Sequence, residues 1–136
     1  MKPHKYVIVG GGMTAAAAIG GIREIDGHGS IAVICAEMHP PYDRPPLSKA
    51  LWSGQKTEAT VSRDAGGPGV AIHLGRRAVA LDAANKTVSD DAGNVYAYDK
   101  LLLATGGAPR RLPFADEGTI YYRTLDDYRQ LRRLAD

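Results

Sequence analysis

A glycine-rich turn near the start of the chain has the spacing of a phosphate-binding loop. Gly10, Gly12 and Ala15 match the pattern G-x-G-x-x-A. In this pattern the first glycine allows a tight turn, the second lets a pyrophosphate approach the backbone, and the small third residue lets a helix pack closely on a strand. The N–H groups at the start of the following helix carry partial positive charge, which favours a phosphate. The pattern is weak on its own, so its context matters.

The segments on either side of this turn predict a βαβ unit. Tyr6–Val9 and Ile31–Ala36 are continuous apolar runs rich in β-branched residues, which are typical of buried parallel strands. Between them, Met13–Ile25 combines an alanine run with spaced isoleucines and stops at turn residues, which predicts a helix. A strand, a glycine turn, a helix and a strand in this order form one βαβ unit. The turn is therefore interpreted as a dinucleotide site.

An acidic residue after the second strand narrows the choice of nucleotide. Glu37 follows Ile31–Ala36, and a carboxylate at this position can accept hydrogen bonds from both hydroxyls of a ribose. The same carboxylate would repel a 2′-phosphate. These residues favour FAD or NAD over NADP, and they leave the choice between FAD and NAD open.

The overall composition excludes several other classes of function. The 136 residues are 44% hydrophobic and 24% charged, which predicts a single globular domain. The net charge is +2 and no run of like charges is long, so neither nucleic acid nor a membrane surface is expected as a partner. No apolar segment is long enough for a signal peptide or a membrane span, so a cytoplasmic protein is expected. Cys35 is the only cysteine and the four histidines lack ligand spacing, which argues against a disulfide framework, a dithiol centre and a metal site.

Two more segments are candidates for ligand contact. Pro41–Trp52 reads P-Y-D-R-P-P-L-S-K-A-L-W, and its paired prolines predict a rigid loop that leads into a short helix from Ser48 to Trp52. Leu101–Arg110 reads L-L-L-A-T-G-G-A-P-R, which predicts a buried strand up to Ala104 followed by a glycine turn.

The rest of the chain predicts a surface excursion, a β-meander and a final helix. Residues 53–69 show no clear period, which is typical of a surface loop. Ile120–Arg123 predicts a strand, and Thr124 with Asp127 resembles a capping box that opens a helix through Leu134. The strands predicted for the meander are Val70–His73, Ala78–Asp82, Thr87–Ser89 and Asn94–Tyr98.

Taken in order, the glycine turn, the proline-rich loop and the A-T-G segment resemble the FAD-dependent pyridine nucleotide-disulphide oxidoreductase superfamily. The resemblance covers essentially the whole chain, and the R-P-P-L-S-K stretch is similar to that of the ferredoxin-reductase-like and apoptosis-inducing-factor-like flavoproteins. It implies an α/β fold, a Rossmann-like doubly wound parallel sheet with a β-meander crossover. It also implies that residues 1–136 are the N-terminal portion of an FAD-binding domain, incomplete at its C-terminal side, with the NADH-binding domain and the later FAD-binding segment absent.

The resemblance also implies roles for individual residues. Arg44, Pro45 and Lys49 would face the isoalloxazine ring, with Lys49 nearest its N5 edge as the candidate catalytic residue. Arg77 and Ala78 would touch the adenine end of FAD. The residues predicted to bind the cofactor are Gly10, Gly12, Met13, Thr14, Ala15, Glu37, Arg44, Pro45, Ser48, Lys49, Arg77, Ala78, Ala104, Thr105, Gly106 and Arg110.

The function implied by this resemblance is the transfer of a hydride from NADH to FAD and of electrons from FAD to an acceptor such as a ferredoxin. This chain alone is expected to be inactive with NADH. Two alternatives stay open: a non-catalytic nucleotide-binding module or fragment, and an NAD-binding Rossmann domain of another dehydrogenase. The R-P-P-L-S-K loop argues against the second alternative.

Overall fold

A computed structural model of the protein describes residues 2–114 and 117–135. The length predicts one domain, and the chain divides into two compact units. Unit 1 consists of Met1–Tyr42 and Ser62–Gly106, and unit 2 consists of Asp43–Val61 and Gly107–Asp136. Each unit is described by itself below.

Unit 1 contains a six-stranded sheet with the order β3-β2-β1-β6-β5-β4. The strands β3, β2, β1 and β6 run parallel to their neighbours, and β6, β5 and β4 are antiparallel. This is the α/β, Rossmann-like architecture that the sequence predicts. The strand bounds are Lys2–Val9 (β1), Ile31–Cys35 (β2), Val70–Leu74 (β3), Ala78–Asp82 (β4), Thr87–Asp90 (β5) and Val95–Leu103 (β6).

The continuous apolar runs of β1 and β2 are explained by burial of both faces of the sheet. On one face, residues of β1 and β2 pack with Val88 of β5 and Tyr96 of β6. On the other face, the alternate residues of the same strands pack with Ala15 and Ile19 of the first helix. Because successive side chains point to opposite faces, a strand covered on both sides is apolar at every position.

The first helix, α1 (Met13–Ile25), has the bounds that the sequence predicts. It begins after Gly12 and ends at Asp26, whose carboxylate accepts hydrogen bonds from the ammonium of Lys5 and the hydroxyl of Tyr6. The Lys5 ammonium is the main cause that holds the pKa of Asp26 well below its usual range. These contacts join the end of α1 to β1.

The predicted β-meander needs two corrections. Val70–Leu74 pairs in parallel with β2, so it belongs to the parallel part of the sheet and not to the meander. The two segments predicted as separate strands, Asn94–Tyr98 and the Leu101–Ala104 run, form the single strand β6. A strand pattern predicts an extended backbone, but the partner strand is selected by contacts distant in the sequence.

The C-terminal half of β6 is less buried than its leucines predict. Leu102 is 37% exposed and Leu103 is 59% exposed, while Leu101 is half-buried. Pairing of β6 with β5 runs from Val95 to Ala97. Beyond Ala97, β6 pairs with β1 on one side, and no other described strand pairs with it. The expectation of a fully buried strand was therefore wrong for these two leucines.

Unit 2 contains a 3₁₀ turn at Pro45–Ser48 and two helices, α2 (Glu58–Val61) and α3 (Leu125–Ala135). The predicted capping box is confirmed, because the backbone N–H of Thr124 donates to Asp127 at 2.6 Å and the backbone N–H of Asp127 donates to Thr124 Oγ1 at 3.2 Å. Arg129 of α3 forms an ion pair with Glu58 of α2 at 2.6 Å. In the described part of the chain, no helix has both the length and the apolar character needed to cross a membrane.

Two local predictions in unit 2 were wrong. The helical turn covers Pro45–Ser48 and not Ser48–Trp52, because the prolines occupy its first positions, where their missing N–H costs nothing. Lys49 therefore follows the turn. Ile120–Arg123 is not a strand, since no described strand pairs with it. The Tyr121 hydroxyl accepts from the Leu112 N–H, and the Tyr122 hydroxyl donates to the Leu47 carbonyl in the 3₁₀ turn.

Candidate functional site at the carboxyl edge of the sheet

Four segments that the sequence predicts to bind a cofactor follow the carboxyl ends of the parallel strands. They are the glycine turn after β1, Glu37 after β2, Arg77 and Ala78 after β3, and Ala104–Gly106 after β6. The Gly10 N–H donates to the carbonyl of Ile34 at 2.9 Å, and the Ala104 N–H donates to the carbonyl of Val9 at 2.8 Å. After β3, the Arg76 N–H donates to the Cys35 carbonyl at 2.8 Å. Ligands of open α/β sheets bind at this edge.

Two glycines of the first turn are required by contacts within unit 1. Gly10 has φ +116°, and a side chain there would collide with the carbonyl oxygen of Ala104. A side chain at Gly11 would collide with the sulfur of Cys35. Cys35 is itself 1% exposed and acts as a small buried hydrophobe, as the sequence predicts. These contacts hold the turn against the ends of β2 and β6.

Gly12 differs from its two neighbours because its surroundings are open. A Cβ atom at Gly12 would meet no other atom within 4 Å. Gly12 is the N-cap residue of α1, and no side chain caps that helix. The first N–H groups of a helix lack partners inside the helix, so this end offers donors and partial positive charge to a phosphate group. The residues present thus fit a pyrophosphate.

The three residues after Gly12 have different surroundings. Met13 is half-buried and Thr14 is exposed, both in the first turn of α1. Ala15 is fully buried in the cluster that contains Ile8 and Val33. Ala15 therefore has the packing role that the pattern predicts for its small side chain.

The side chain of Glu37 is held by a neighbouring phenol. The hydroxyl of Tyr42 donates to Glu37 Oε2 at 2.6 Å. The carbonyl of Glu37 accepts from the Gly75 N–H at 3.0 Å and from the Cys35 thiol at 3.4 Å. Glu37 is half-buried and follows β2, on the same sheet edge as the glycine turn.

An apolar groove of about 270 Å³ in unit 1 places two predicted residues side by side. Ala78 and Thr105 both line it, although they are far apart in the sequence. Val9, Val88 and Leu103 contribute to the same groove. Its walls are mainly aliphatic, which suits the flat face of an aromatic base.

The residues next to this groove are arranged by backbone contacts. Arg77 is exposed, and its carbonyl accepts from the Asp91 N–H at 2.9 Å. Ala104 is half-buried and contacts Gly10 as described above. Gly106 has φ +68°, a left-handed conformation that favours glycine, so the chain turns sharply here.

The remaining predicted residues lie in unit 2. Pro45, Ser48, Lys49 and Arg110 are exposed there. Arg44 is half-buried, and its guanidinium donates to the carbonyl of Arg123 at 3.1 Å. Part of the Arg44 side chain thus holds the proline-rich loop to the segment before α3.

A second contact fixes the same loop. The hydroxyl of Tyr122 donates to the carbonyl of Leu47 at 2.6 Å, and burial raises the pKa of Tyr122. Leu47 is 3% exposed. Lys49 lies two residues after Leu47 and directly follows this anchored turn.

Sequence reasoning assigned no role to three residues that shape these arrangements. Gly11 lies inside the glycine motif, and its contact with Cys35 has no signal of its own. Tyr42 is part of the motif P-Y-D-R-P-P, five residues after Glu37, but only the fold shows its hydroxyl at that carboxylate. Tyr122 was assigned to a strand. Among the described residues, no group of His, Cys, Asp or Glu could hold a metal ion.

Comparison with known proteins identifies the family. A profile described as pyridine nucleotide-disulphide oxidoreductase matches residues 4–135. The chain belongs to this family. It is 35% identical to apoptosis-inducing factor 1, mitochondrial, of Dictyostelium discoideum, over 96% of this chain and 29% of the relative. It is 34% identical to rubredoxin-NAD(+) reductase of Pseudomonas putida, over 93% of this chain and 35% of the relative.

A solved structure shows the same architecture. The crystal structure of a ferredoxin reductase from Rhodopseudomonas palustris superimposes with a TM-score of 0.82 at 28% identity, over 96% of this chain and 34% of that chain. This chain thus spans about a third of the length of these relatives. The resemblance inferred from the three motifs and the α/β fold class are confirmed. Enzymes of this family use FAD and a nicotinamide nucleotide, the cofactor classes that the motifs imply.

Proposed function

We propose that this chain binds FAD and serves an oxidoreductase that takes a hydride from NADH and passes electrons to a ferredoxin-like protein. The observation that carries the proposal is the open N-terminus of α1 at Gly12, on the same sheet edge as Glu37. A helix end without a side-chain cap, on the same sheet edge as a carboxylate that could accept bonds from a ribose, suits the ADP half of a dinucleotide.

Each part of the ADP half has a matching set of residues in unit 1. Gly12 and the first turn of α1 would hold the pyrophosphate, and Glu37 would accept hydrogen bonds from the ribose. The groove lined by Ala78 and Thr105 would take the adenine. FAD, when bound, supplies the hydride and electron chemistry, while the protein binds and orients it.

The proline-rich loop in unit 2 is proposed to raise the reduction potential of the flavin. Lys49 is exposed and follows the anchored turn, so its ammonium is available to stabilise negative charge on a flavin ring. We expect Lys49→Gln to lower the reduction potential of bound FAD by roughly 30 mV, which corresponds to about 1.4 kcal/mol for a two-electron couple. Lys56→Gln is the matched control, because Lys56 is also exposed and lies outside the predicted site. Equal potentials in all three proteins would remove the tuning role.

The test of binding is a titration of the purified chain with FAD, followed by flavin fluorescence. We expect Gly12→Ala to reduce the affinity on the order of ten-fold, because the added methyl group enters the space proposed for the pyrophosphate. Gly21→Ala is the control: its Cβ also meets nothing within 4 Å, but it lies inside α1. Wild-type protein that ignores FAD, or Gly12→Ala that binds like wild type, would contradict the proposal. A parallel titration with NAD tests the alternative of an NAD-binding domain.

The NADH half of the reaction is not assigned to residues of this chain. Only one glycine turn of the G-x-G-x-x-A type follows an apolar strand and opens a helix. We therefore expect FAD-loaded chain to show no steady oxidation of NADH. Continuous loss of NADH absorbance with pure protein would refute this expectation.

The electron acceptor and the compartment are part of the same proposal. The relatives are named for rubredoxin and ferredoxin, which supports a small electron-carrier protein as the partner. A pull-down with oxidised ferredoxin and rubredoxin as separate probes tests this. The cytoplasmic location stays a prediction, and fractionation of cells that express the native gene tests it.

A further inference from the structure

Tyr42 links the proline-rich motif to the proposed ribose site. Its ring is 4% exposed, and its hydroxyl donates to Glu37 Oε2 at 2.6 Å. The distance is short for an O–H···O bond, as expected when the acceptor is a carboxylate.

The backbone on both sides of this contact is fixed within unit 1. Tyr42 forms an antiparallel bridge with Ser62, and the carbonyl of Pro41 accepts from the Arg63 N–H at 2.8 Å. On the other side, the carbonyl of Glu37 is held by the Gly75 N–H at 3.0 Å. The phenol therefore has a defined position from which it can orient the flexible side chain of Glu37.

We propose that Tyr42 is a positioning residue that orients the Glu37 carboxylate toward the ribose hydroxyls and so sets the preference for a ribose with free hydroxyls. The inference rests on the proposed binding of FAD. Glutamate loses much rotamer freedom when it becomes ordered, and ordering before the ligand arrives reduces that cost of binding. A carboxylate has about four acceptor sites on its two oxygens, so a bond from Tyr42 is compatible with bonds from a ribose.

The test compares ADP with 2′,3′-dideoxy-ADP, each as a competitor of FAD on the full chain. We expect Tyr42→Phe to weaken ADP about five-fold, the effect of one lost hydrogen bond, and to leave dideoxy-ADP within about two-fold of wild type. A residue that matters only for folding would weaken both nucleotides equally. Glu37→Gln should abolish most of the preference for ADP, and Tyr42→Phe should then add no further loss.

Tyr96→Phe is the matched control, because Tyr96 is also a buried tyrosine that donates to a carboxylate, that of Asp90. It should leave both affinities unchanged. Tyr42→Phe with the wild-type preference, or with equal loss for both nucleotides, would overturn the role of Tyr42 while Glu37→Gln still upholds the ribose site. Wild-type protein that binds neither FAD nor ADP would overturn the proposed function and this inference together.

Discussion

Tyrosine hydroxyls donate to the carboxylates of Asp26, Glu37 and Asp90 in unit 1, and the surroundings of Glu37 and Asp90 differ. Asp90 is 2% exposed and accepts from Tyr96 at 2.8 Å, from the Asn94 side chain, and from the backbone N–H groups of Ala92 and Asn94. Glu37 is half-buried and accepts from Tyr42 at the edge where the parallel strands end. A bond from tyrosine to a carboxylate thus occurs both in a hairpin interior and at the edge where the parallel strands end.

The donors around Asp90 show why it acts as a structural group. Burial by itself would raise the pKa of Asp90, but the hydrogen bonds from Asn94, Tyr96 and the backbone lower it to about 2. Burial and the neighbouring Asp90 raise the pKa of Tyr96 to about 12. The hydrogen-bond partners of Asp90 come from the turn between β5 and β6 and from β6 itself, so the Asp90 carboxylate stabilises that hairpin. Under the proposed function, the carboxylate of Glu37 would instead accept hydrogen bonds from a ligand.

The largest expected effect is on stability, in Asp90→Ala. This change leaves the buried hydroxyl of Tyr96 without its acceptor and also removes the acceptor of the Asn94 side chain and of two backbone N–H groups, which should lower the free energy of unfolding by about 3 kcal/mol. Urea denaturation followed by circular dichroism measures the change. An unaltered midpoint would mean that the hairpin does not depend on this carboxylate.

Acid should remove part of the stabilisation that ionised Asp90 provides. The ordinary pKa of an aspartate is 3.8 and that of folded Asp90 is about 2, so its stabilising effect is complete above pH 3.8 and is lost as the pH falls through 2. Wild type should therefore lose more stability than Asp90→Asn between pH 4 and pH 2. Comparison of the two proteins cancels the contributions of Asp26, Asp82 and Asp127, whose pKa values are also lowered. Parallel curves for the two proteins would contradict the assignment.

Glu37→Gln should reduce the affinity for FAD and have little effect on stability, in contrast to Asp90→Ala. We expect its affinity for FAD to fall on the order of ten-fold, because an amide replaces one of the two acceptor oxygens and the charge is lost. Its free energy of unfolding should stay within about 0.5 kcal/mol of wild type, as for other changes at partly exposed positions. A large loss of stability with unchanged FAD affinity would make Glu37 a second structural carboxylate.

The smallest effect is expected for Tyr96→Phe. It removes one donor from a carboxylate that keeps its bonds from Asn94 and the backbone, so the free energy of unfolding should fall by about 1 kcal/mol. Thermal unfolding and the FAD titration on the same sample test this together. A change in FAD affinity would show that the hairpin and the ligand edge are coupled.

Local patterns were sufficient to predict the elements that surround the glycine turn. The helix Met13–Ile25 has the predicted bounds, because its start and end are marked by glycine and by Asp26. The capping box of α3 was found in the same way, since the interaction of Thr124 with Asp127 spans one turn. Such signals depend on neighbours within a few residues.

Predictions that depended on a distant partner were less successful. Val70–Leu74 has a strand pattern, but its pairing with β2 joins residues about forty positions apart. Ile120–Arg123 has the same kind of pattern and forms no strand. The prolines at 45 and 46 also placed the helical turn earlier than predicted, because a turn can begin at proline.

The residue types, spacing and periodicity of the sequence are enough to indicate a dinucleotide-binding βαβ unit, with Gly10, Gly12 and Ala15 at its turn and Glu37 after its second strand. The order in which strands pair, the contact of Ala78 with the same groove as Thr105, and the bond from Tyr42 to Glu37 emerge only after folding. The reason is physical: conformational preference acts along neighbouring residues, whereas pairing and burial depend on surfaces that distant segments present to one another.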